Sequence, residues 1–200
     1  MTMDLSDVSR ETMDRLEAYA ALVRKWNPKI NLVSKSSLEH LWDRHIADSA
    51  QVFHLVNARG YWLDIGSGGG FPGIVVAIMN MEKKRFRVAL VESDQRKCAF
   101  LNTVLRELEI EGCVLNDRIE NLEPQHADVL SARALSNLSQ LLEFAERHLH
   151  PKGTALFPKG GSWKTEDEIA RKTWDYTLNT IPSKTNPEAS VLMIKDVIRA

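Results

Sequence analysis

Apolar positions recur along the chain with two different spacings, and the change from one to the other marks its organisation. Between residues 5 and 26, Leu5, Val8, Leu16, Tyr19, Val23 and Trp26 fall at helical spacing with polar residues between them, which predicts one amphipathic helix. The Asn27-Pro28 pair is expected to end it, because a residue before proline is biased away from helical geometry. Ser36 and Glu39 have the spacing of a capping box. Leu38, Leu41, Trp42, Ile46, Ser49, Val52, Phe53 and Val56 follow with helical period and predict a second helix over about 37–57.

From residue 61 onward the apolar positions gather into short runs instead. One run ends at Asp64 and reads as a strand; 87–92, 113–116, 127–132 and 154–157 read as four more. Helical patterns after Ile74, over 96–108 and over about 137–148 lie among them, with Ser93 and Asp94 as candidate caps. Strands alternating with helices imply a parallel sheet covered on both faces. The tail departs from this: Ser162 is a candidate cap for a helix to about 172, and 176–181 and 191–197 read as consecutive strands that should pair antiparallel. The expected fold is therefore Rossmann-like α/β, a mostly parallel seven-stranded sheet with an antiparallel C-terminal hairpin. An N-terminal helical cap (1–58) joins the core (59–200) without a Gly-, Ser- or Pro-rich linker, so the two are expected to form one compact unit.

The segment joining strand to helix after Asp64 is the most informative in the chain. Glycines at 66, 68, 69, 70 and 73 sit between the two, where a tight turn requires positive φ and close approach of backbone to a ligand. Two signatures overlap: Asp64-x-Gly66-x-Gly68-x-Gly70, the pattern of an S-adenosylmethionine site, and Gly68-x-Gly70-x-x-Gly73, that of a dinucleotide. Asp64, where dinucleotide sites carry an apolar residue, favours the first. So does Pro72 at the helix start, since a pyrophosphate uses the N–H groups of which proline removes one. No Gly-Lys-Ser/Thr follows, which excludes a Walker loop.

Composition narrows the partners. The net charge of −1 excludes a generally basic surface, so any RNA contact must come from local clusters such as Arg24-Lys25, Lys83-Lys84-Arg85 with Arg87, Arg96-Lys97, or Lys152 with Lys159 and Lys164. The longest purely apolar run, 74–79, is too short to span a bilayer, and the first ten residues show no signal-peptide pattern. Cys98 and Cys113 lack metal-ligand spacing, so no metal is expected and the reducing cytoplasm is the expected compartment. A monomer is expected.

Ligands of an open α/β sheet lie beyond the carboxyl ends of its strands. That rule nominates Asp64 and the glycines, Glu92, the segment 116–120 and the segment 131–134. Glu92, 22 residues past Gly70, stands where such folds place a ribose-binding acid. Ile119 can pack on an adenine ring, with Glu120 beside its amino group. Arg133 reads as a planar fork close to the methyl donor or as the partner of a neighbouring acid. His45 and Asp48, one turn apart, are either a catalytic pair or a means of orienting the cap against the cofactor loop. The Asn/Asp-Pro-Pro-Phe/Tyr motif of exocyclic-amine methylation is absent after the fourth strand, and neither cysteine is placed as a nucleophile. Guanine N7 needs neither device.

The chain resembles the RsmG (GidB) family of bacterial small-subunit rRNA methyltransferases. The resemblance rests on Trp26-Asn27, Asn31-Leu32, Arg44-His45-Ile46-Ala47-Asp48-Ser49, the 63–74 segment ending Gly70-Phe71-Pro72-Gly73-Ile74, Ser131-Ala132-Arg133-Ala134 and Leu156-Phe157-Pro158-Lys159-Gly160. It implies S-adenosylmethionine as donor and methylation of a guanine N7 in the 16S rRNA loop near the decoding centre, on naked 16S rRNA or a 30S particle. It further implies cofactor contacts at Gly66, Phe71, Ile119, Glu120 and Arg133, with Asp64, Gly68, Gly70 and Glu92 completing the expected site and Arg133 as the candidate catalytic residue. Two other readings stay open here: a nicotinamide-dependent oxidoreductase, and an RNA-binding module that has kept the fold without turnover.

Overall fold

The computed structural model describes residues 8–200. Leu5, at the expected start of the first helix, and most of the segment inspected for a signal peptide lie outside the described residues.

Helix α1 (Arg10–Ile30) starts where Ser9 accepts a hydrogen bond from Thr12 N–H. It does not end at Asn27-Pro28. It continues one more turn, because Asn27 O accepts from Asn31 N (3.0 Å) and Asn27 Oδ1 accepts from Val33 N (2.8 Å), and it stops at Asn31 in the left-handed region. The expected single helix over 37–57 is broken into pieces. Ser34, not Ser36, caps the short α2 (Lys35–Leu38); after a turn comes a π-helical segment (Trp42–Ala47) that runs directly into α3 (Asp48–His54). A wider turn of this kind keeps the apolar face inward while rotating the helix beyond it, so a 3.6-residue count cannot reveal it.

The core opens with β1 (Gly60–Ile65) and α4 (Gly73–Lys83), then β2 (Phe86–Glu92) and α5 (Gln95–Glu107), whose cap is Asp94. Strand β3 (Cys113–Asn116), a 3-10 turn (Ile119–Asn121), β4 (Ala127–Ser131) and α6 (Leu138–His148), capped by Asn137, come next. Then come β5 (Leu149–Lys159), α7 (Trp163–Ala170), β6 (Trp174–Pro182) and β7 (Ser190–Arg199). Ser162 precedes α7 but makes no capping bond to its backbone.

One seven-stranded sheet has the order β3-β2-β1-β4-β5-β7-β6. β1 pairs in parallel with both β2 and β4, β2 with β3 and β4 with β5, whereas β7 is antiparallel to β5 and β6. The final strand thus enters between β5 and β6, leaving β6 at the edge. The order reverses between β1 and β4, the place where such sheets open a crevice.

Alternation along β1 sends Trp62 to one face and Leu63 and Ile65 to the other. On the first face α4 and α5 cover the sheet, and α1 and α3 pack over α4 in turn. Gly73 through Asn80 are all buried, which explains why the helix after the glycine turn is apolar on every side. Leu16, Tyr19, Ile46 and Phe53 of the cap share a core with Ile74, Phe86 and Phe100. Among the described residues no helix is long and apolar enough to cross a membrane.

Candidate functional site

The turn after β1 is shaped by backbone. Gly66, Gly68 and Gly70 have φ of 62°, 55° and 93°. A Cβ at Gly66 would lie 2.5 Å from Leu135 Cδ1, whereas one at Gly68 would meet only the Gly66 carbonyl at 3.8 Å. Gly68 therefore faces open space, and its glycine is required by backbone geometry alone. Tyr19 of α1 donates to Gly69 O (2.5 Å), fastening the cap to the turn.

Beneath the turn Asp64 is fully buried. Its Oδ1 accepts from Ser131 Oγ (2.6 Å), which accepts from Trp62 Nε1 (2.9 Å), and the backbone N–H of Gly73 also favours its charged form. Burial raises the carboxyl from 3.8 to about 6, with the Ser131 hydrogen bond and the Arg133 charge opposing.

A crevice of about 1260 Å³ opens at the carboxyl ends of the strands. Gly66, Gly68, Phe71, Glu92, Ile119, Glu120 and Arg133 line it; Asp64 and Gly70 do not. Asp64 stands behind the wall and supports the turn and β4, while Gly70 packs near Ile74 and the Tyr19 hydroxyl. Glu92 Oε2 accepts from Gly68 N and Oε1 from Asp94 N, both at 2.8 Å. Each oxygen keeps a free lone pair, so the carboxylate is oriented and still able to accept. Ile119 is buried in its 3-10 turn and Glu120 is exposed. Asn116 donates to Glu92 O (3.2 Å).

On the other side of the turn Arg133 meets the cap. Its Nη1 donates to Arg44 O (3.1 Å), its Nη2 lies 2.5 Å from His45 Nδ1, and Asp48 Oδ2 is 3.8 Å from Nη1. The guanidinium carbon stacks 5.0 Å from the Phe71 ring centroid, with the His45 ring at 4.9 Å and the Tyr19 ring at 5.2 Å from the same phenylalanine. Burial, then the charges of Arg133 and Arg44, lower His45 to about 3, so it is neutral and Nδ1 accepts from the arginine. His45 thus joins the π-helical segment of the cap to Arg133 and, through its ring, to Phe71 of the glycine turn. Asp48 is not its partner: that carboxylate reaches Arg133, Ser183 and Thr185.

The basic clusters are divided. Trp26 stacks on Phe100 at 5.7 Å, and Arg85 is spent on the Phe53 ring and the Val56 carbonyl (2.9 Å). Lys97 and Lys159 line the crevice, Lys159 donating to Ser136 O and pairing with Glu166, both at 2.7 Å. Sequence reasoning missed the Tyr19, Trp62 and Ser183 contacts, whose partners lie 50, 69 and 135 residues away. It carried no signal for them.

Comparison with known proteins places this geometry. The chain is 54% identical to a protein named ribosomal RNA small subunit methyltransferase G from Ruegeria sp. (strain TM1040), over 96% of this chain and 95% of that one. It is 51% identical to the protein of the same name from Cereibacter sphaeroides (strain ATCC 17029), covering 94% and 93%. A solved TehB-like SAM-dependent methyltransferase from Corynebacterium glutamicum shares the fold, with a TM-score of 0.56 at 15% identity over 92% of this chain and 98% of that one. The sequence profile described as rRNA small subunit methyltransferase G matches residues 12–191, and the chain belongs to that family.

Proposed function

We propose that this protein transfers a methyl group from S-adenosylmethionine to N7 of a guanine in 16S rRNA, acting as a monomer in the cytoplasm, where ribosomes are assembled. The observation that carries the reading is the oriented Glu92 carboxylate, held by Gly68 N at the mouth of a turn whose glycines a side chain would distort or fill. When bound, S-adenosylmethionine supplies a sulfonium-activated methyl group.

The residues present fit that molecule. Glu92 has the lone pairs to accept from ribose hydroxyls, Ile119 offers an apolar surface for adenine with Glu120 beside it, and the Gly66–Gly68 turn presents backbone to the amino-acid end. The crevice exceeds the usual size of a single small-ligand pocket, roughly 300–1,000 Å³, and leaves room for an acceptor base beside the cofactor. Guanine N7 already presents a lone pair and carries no proton. The site accordingly needs alignment and exclusion of water rather than a general base. His45, neutral and engaged with Arg133, fits that requirement. Arg133, braced by three cap groups and stacked on Phe71, is assigned to align donor and acceptor. Cap, glycine turn and C-terminal loop of a single chain wall the crevice, so a second copy is not needed to complete it, which supports a monomer.

The test has two parts. Calorimetry should detect S-adenosylhomocysteine binding to the purified protein, and rRNA from cells lacking the gene should lose one 7-methylguanine that the gene restores. Transfer to neither 16S rRNA nor 30S particles would end the proposal.

A further inference from the structure

The connection between β6 and β7 contributes Ser183, Thr185 and Asn186 to the crevice lining. Its strands belong to the sheet, yet it is held from the cap. Asp48 Oδ1 accepts from Ser183 Oγ (3.0 Å) and Thr185 Oγ1 (3.3 Å). Three residues along the same helix, and so on the same face, Gln51 donates to Pro182 O (2.9 Å) and accepts from Lys184 N (3.0 Å). Ser183 Oγ also accepts from Thr185 N and Asn186 N, each at 3.2 Å, so one hydroxyl shapes the loop and fastens it. Lys184, Asn186 and Pro187 are exposed. A segment with so little apolar burial depends on these polar contacts for its order.

Sheet order says what the loop faces. The glycine turn, Glu92 and Ile119 lie over β1, β2 and β3; the tethered loop lies at the opposite end, beside β5, with Arg133 between them. Asp48 spans that gap, since its Oδ2 is the oxygen near Arg133 and its Oδ1 the one that holds the loop.

We propose that Asp48 and Gln51 are positioning residues that fix the β6–β7 connection as the wall against which the acceptor base is seated, without taking part in holding the cofactor. This rests on the methyltransferase reading above and names the part of the crevice that receives the RNA. One carboxylate sets both the loop and the arginine, so the separation between acceptor wall and Arg133 is fixed by the cap.

Full-length Ser183→Ala, Gln51→Ala and Ser183→Thr proteins provide the test. For the two alanine variants, S-adenosylhomocysteine should bind within about twofold of wild type, because the hydrogen bonds they remove run between loop and cap or within the loop and do not reach the glycine turn. Their kcat for transfer at saturating donor, on whichever of 16S rRNA or 30S particles the wild type methylates, should fall about tenfold through misplacement of the base. Hydrogen exchange at the Lys184 amide should accelerate in both, and Ser183→Thr, which keeps the hydroxyl, should restore exchange and turnover. A parallel loss of S-adenosylhomocysteine binding, unchanged exchange, or an unchanged kcat would each overturn the proposal alone. Absence of transfer by the wild type on either substrate would sink the methyltransferase reading and this proposal with it.

Discussion

The two ends of the crevice are built by different means. At the end over β1 and β2, proposed above to hold the cofactor, backbone does the shaping: three glycines with positive φ, and a carboxylate held by the N–H groups of Gly68 and Asp94, 24 and 2 residues away. At the end beside β5, proposed above to receive the acceptor, side chains join elements remote in sequence, with Arg133 reaching His45 across 88 residues and Ser183 reaching Asp48 across 135. A backbone cradle depends on a few positions that tolerate no side chain. A side-chain network can be cut at any of several residues while the fold survives.

That contrast predicts a hierarchy of effects. Gly66→Val should be the most damaging, because a β-branched residue is strained at φ 62° and its Cβ would lie 2.5 Å from Leu135 Cδ1. S-adenosylhomocysteine affinity should drop by at least about 100-fold, and transfer with it. Arg133→Ala should come second and separate the two ends. Turnover should fall by about 100-fold from lost alignment, with a smaller loss of S-adenosylhomocysteine affinity, since the Gly68–Glu92 contact does not involve Arg133. Single-turnover transfer beside calorimetry on each variant distinguishes these outcomes; equal losses in both assays for Arg133→Ala would erase the division between the ends.

The same division governs what could be read from sequence. Strands announced themselves because each is a short, mostly apolar run: β3 matches its expected limits, and β2 and β4 differ from theirs by one residue. The place of Gly66, Gly68, Glu92 and Ile119 on the crevice was legible because their spacing is local and each follows the end of a strand. Asp64 was expected to contact the cofactor and instead lies behind the crevice wall, since the Ser131 hydroxyl that occupies its Oδ1, itself held by Trp62 Nε1, reaches it only in the folded sheet. The cap was read least well. Asn27 stays helical before Pro28 because its side chain and carbonyl satisfy the chain beyond, and a π-helical turn at 42–47 defeats any count at 3.6 residues. Placement of β7 inside β6 leaves no trace in apolar period either.

Ser131→Ala tests the support under the cofactor end with a smaller expected effect. One hydroxyl bonds both Asp64 Oδ1 and Trp62 Nε1, so its loss strands two buried polar atoms. Stability should decline by about 2–3 kcal/mol in denaturant titration. The Asp64 carboxyl should also move further up, because the Ser131 hydrogen bond now lowers it. A loss comparable with an ordinary surface substitution would mean that Asp64 is not held in this way.

The smallest effect is a pH dependence in which the two ends oppose each other. His45, at the acceptor end, is lowered from 6.5 to about 3, so the unfolded chain binds its proton more readily and stability is lost as pH falls below 6.5. Asp64, under the cofactor end, is raised from 3.8 to about 6, so the folded chain binds its proton more readily and stability is lost as pH rises from 3.8 through 6. Between pH 4 and 6 the two slopes have opposite sign. At pH 5 the histidine costs about 2 kcal/mol relative to pH 7 and the aspartate returns about 1 kcal/mol, leaving a shallow net decline from these two groups, to which burial of His148 adds in the same direction as His45. His45→Asn keeps an acceptor for Arg133 and cannot titrate there, so it removes only the first contribution. Denaturant titrations at pH 7 and pH 5 should then show the variant losing less stability on acidification than the wild type, the remaining loss coming from the buried His148. If both proteins respond to acid alike, the histidine is not held neutral in the folded state, and the acceptor end is organised by something other than its bond to Arg133.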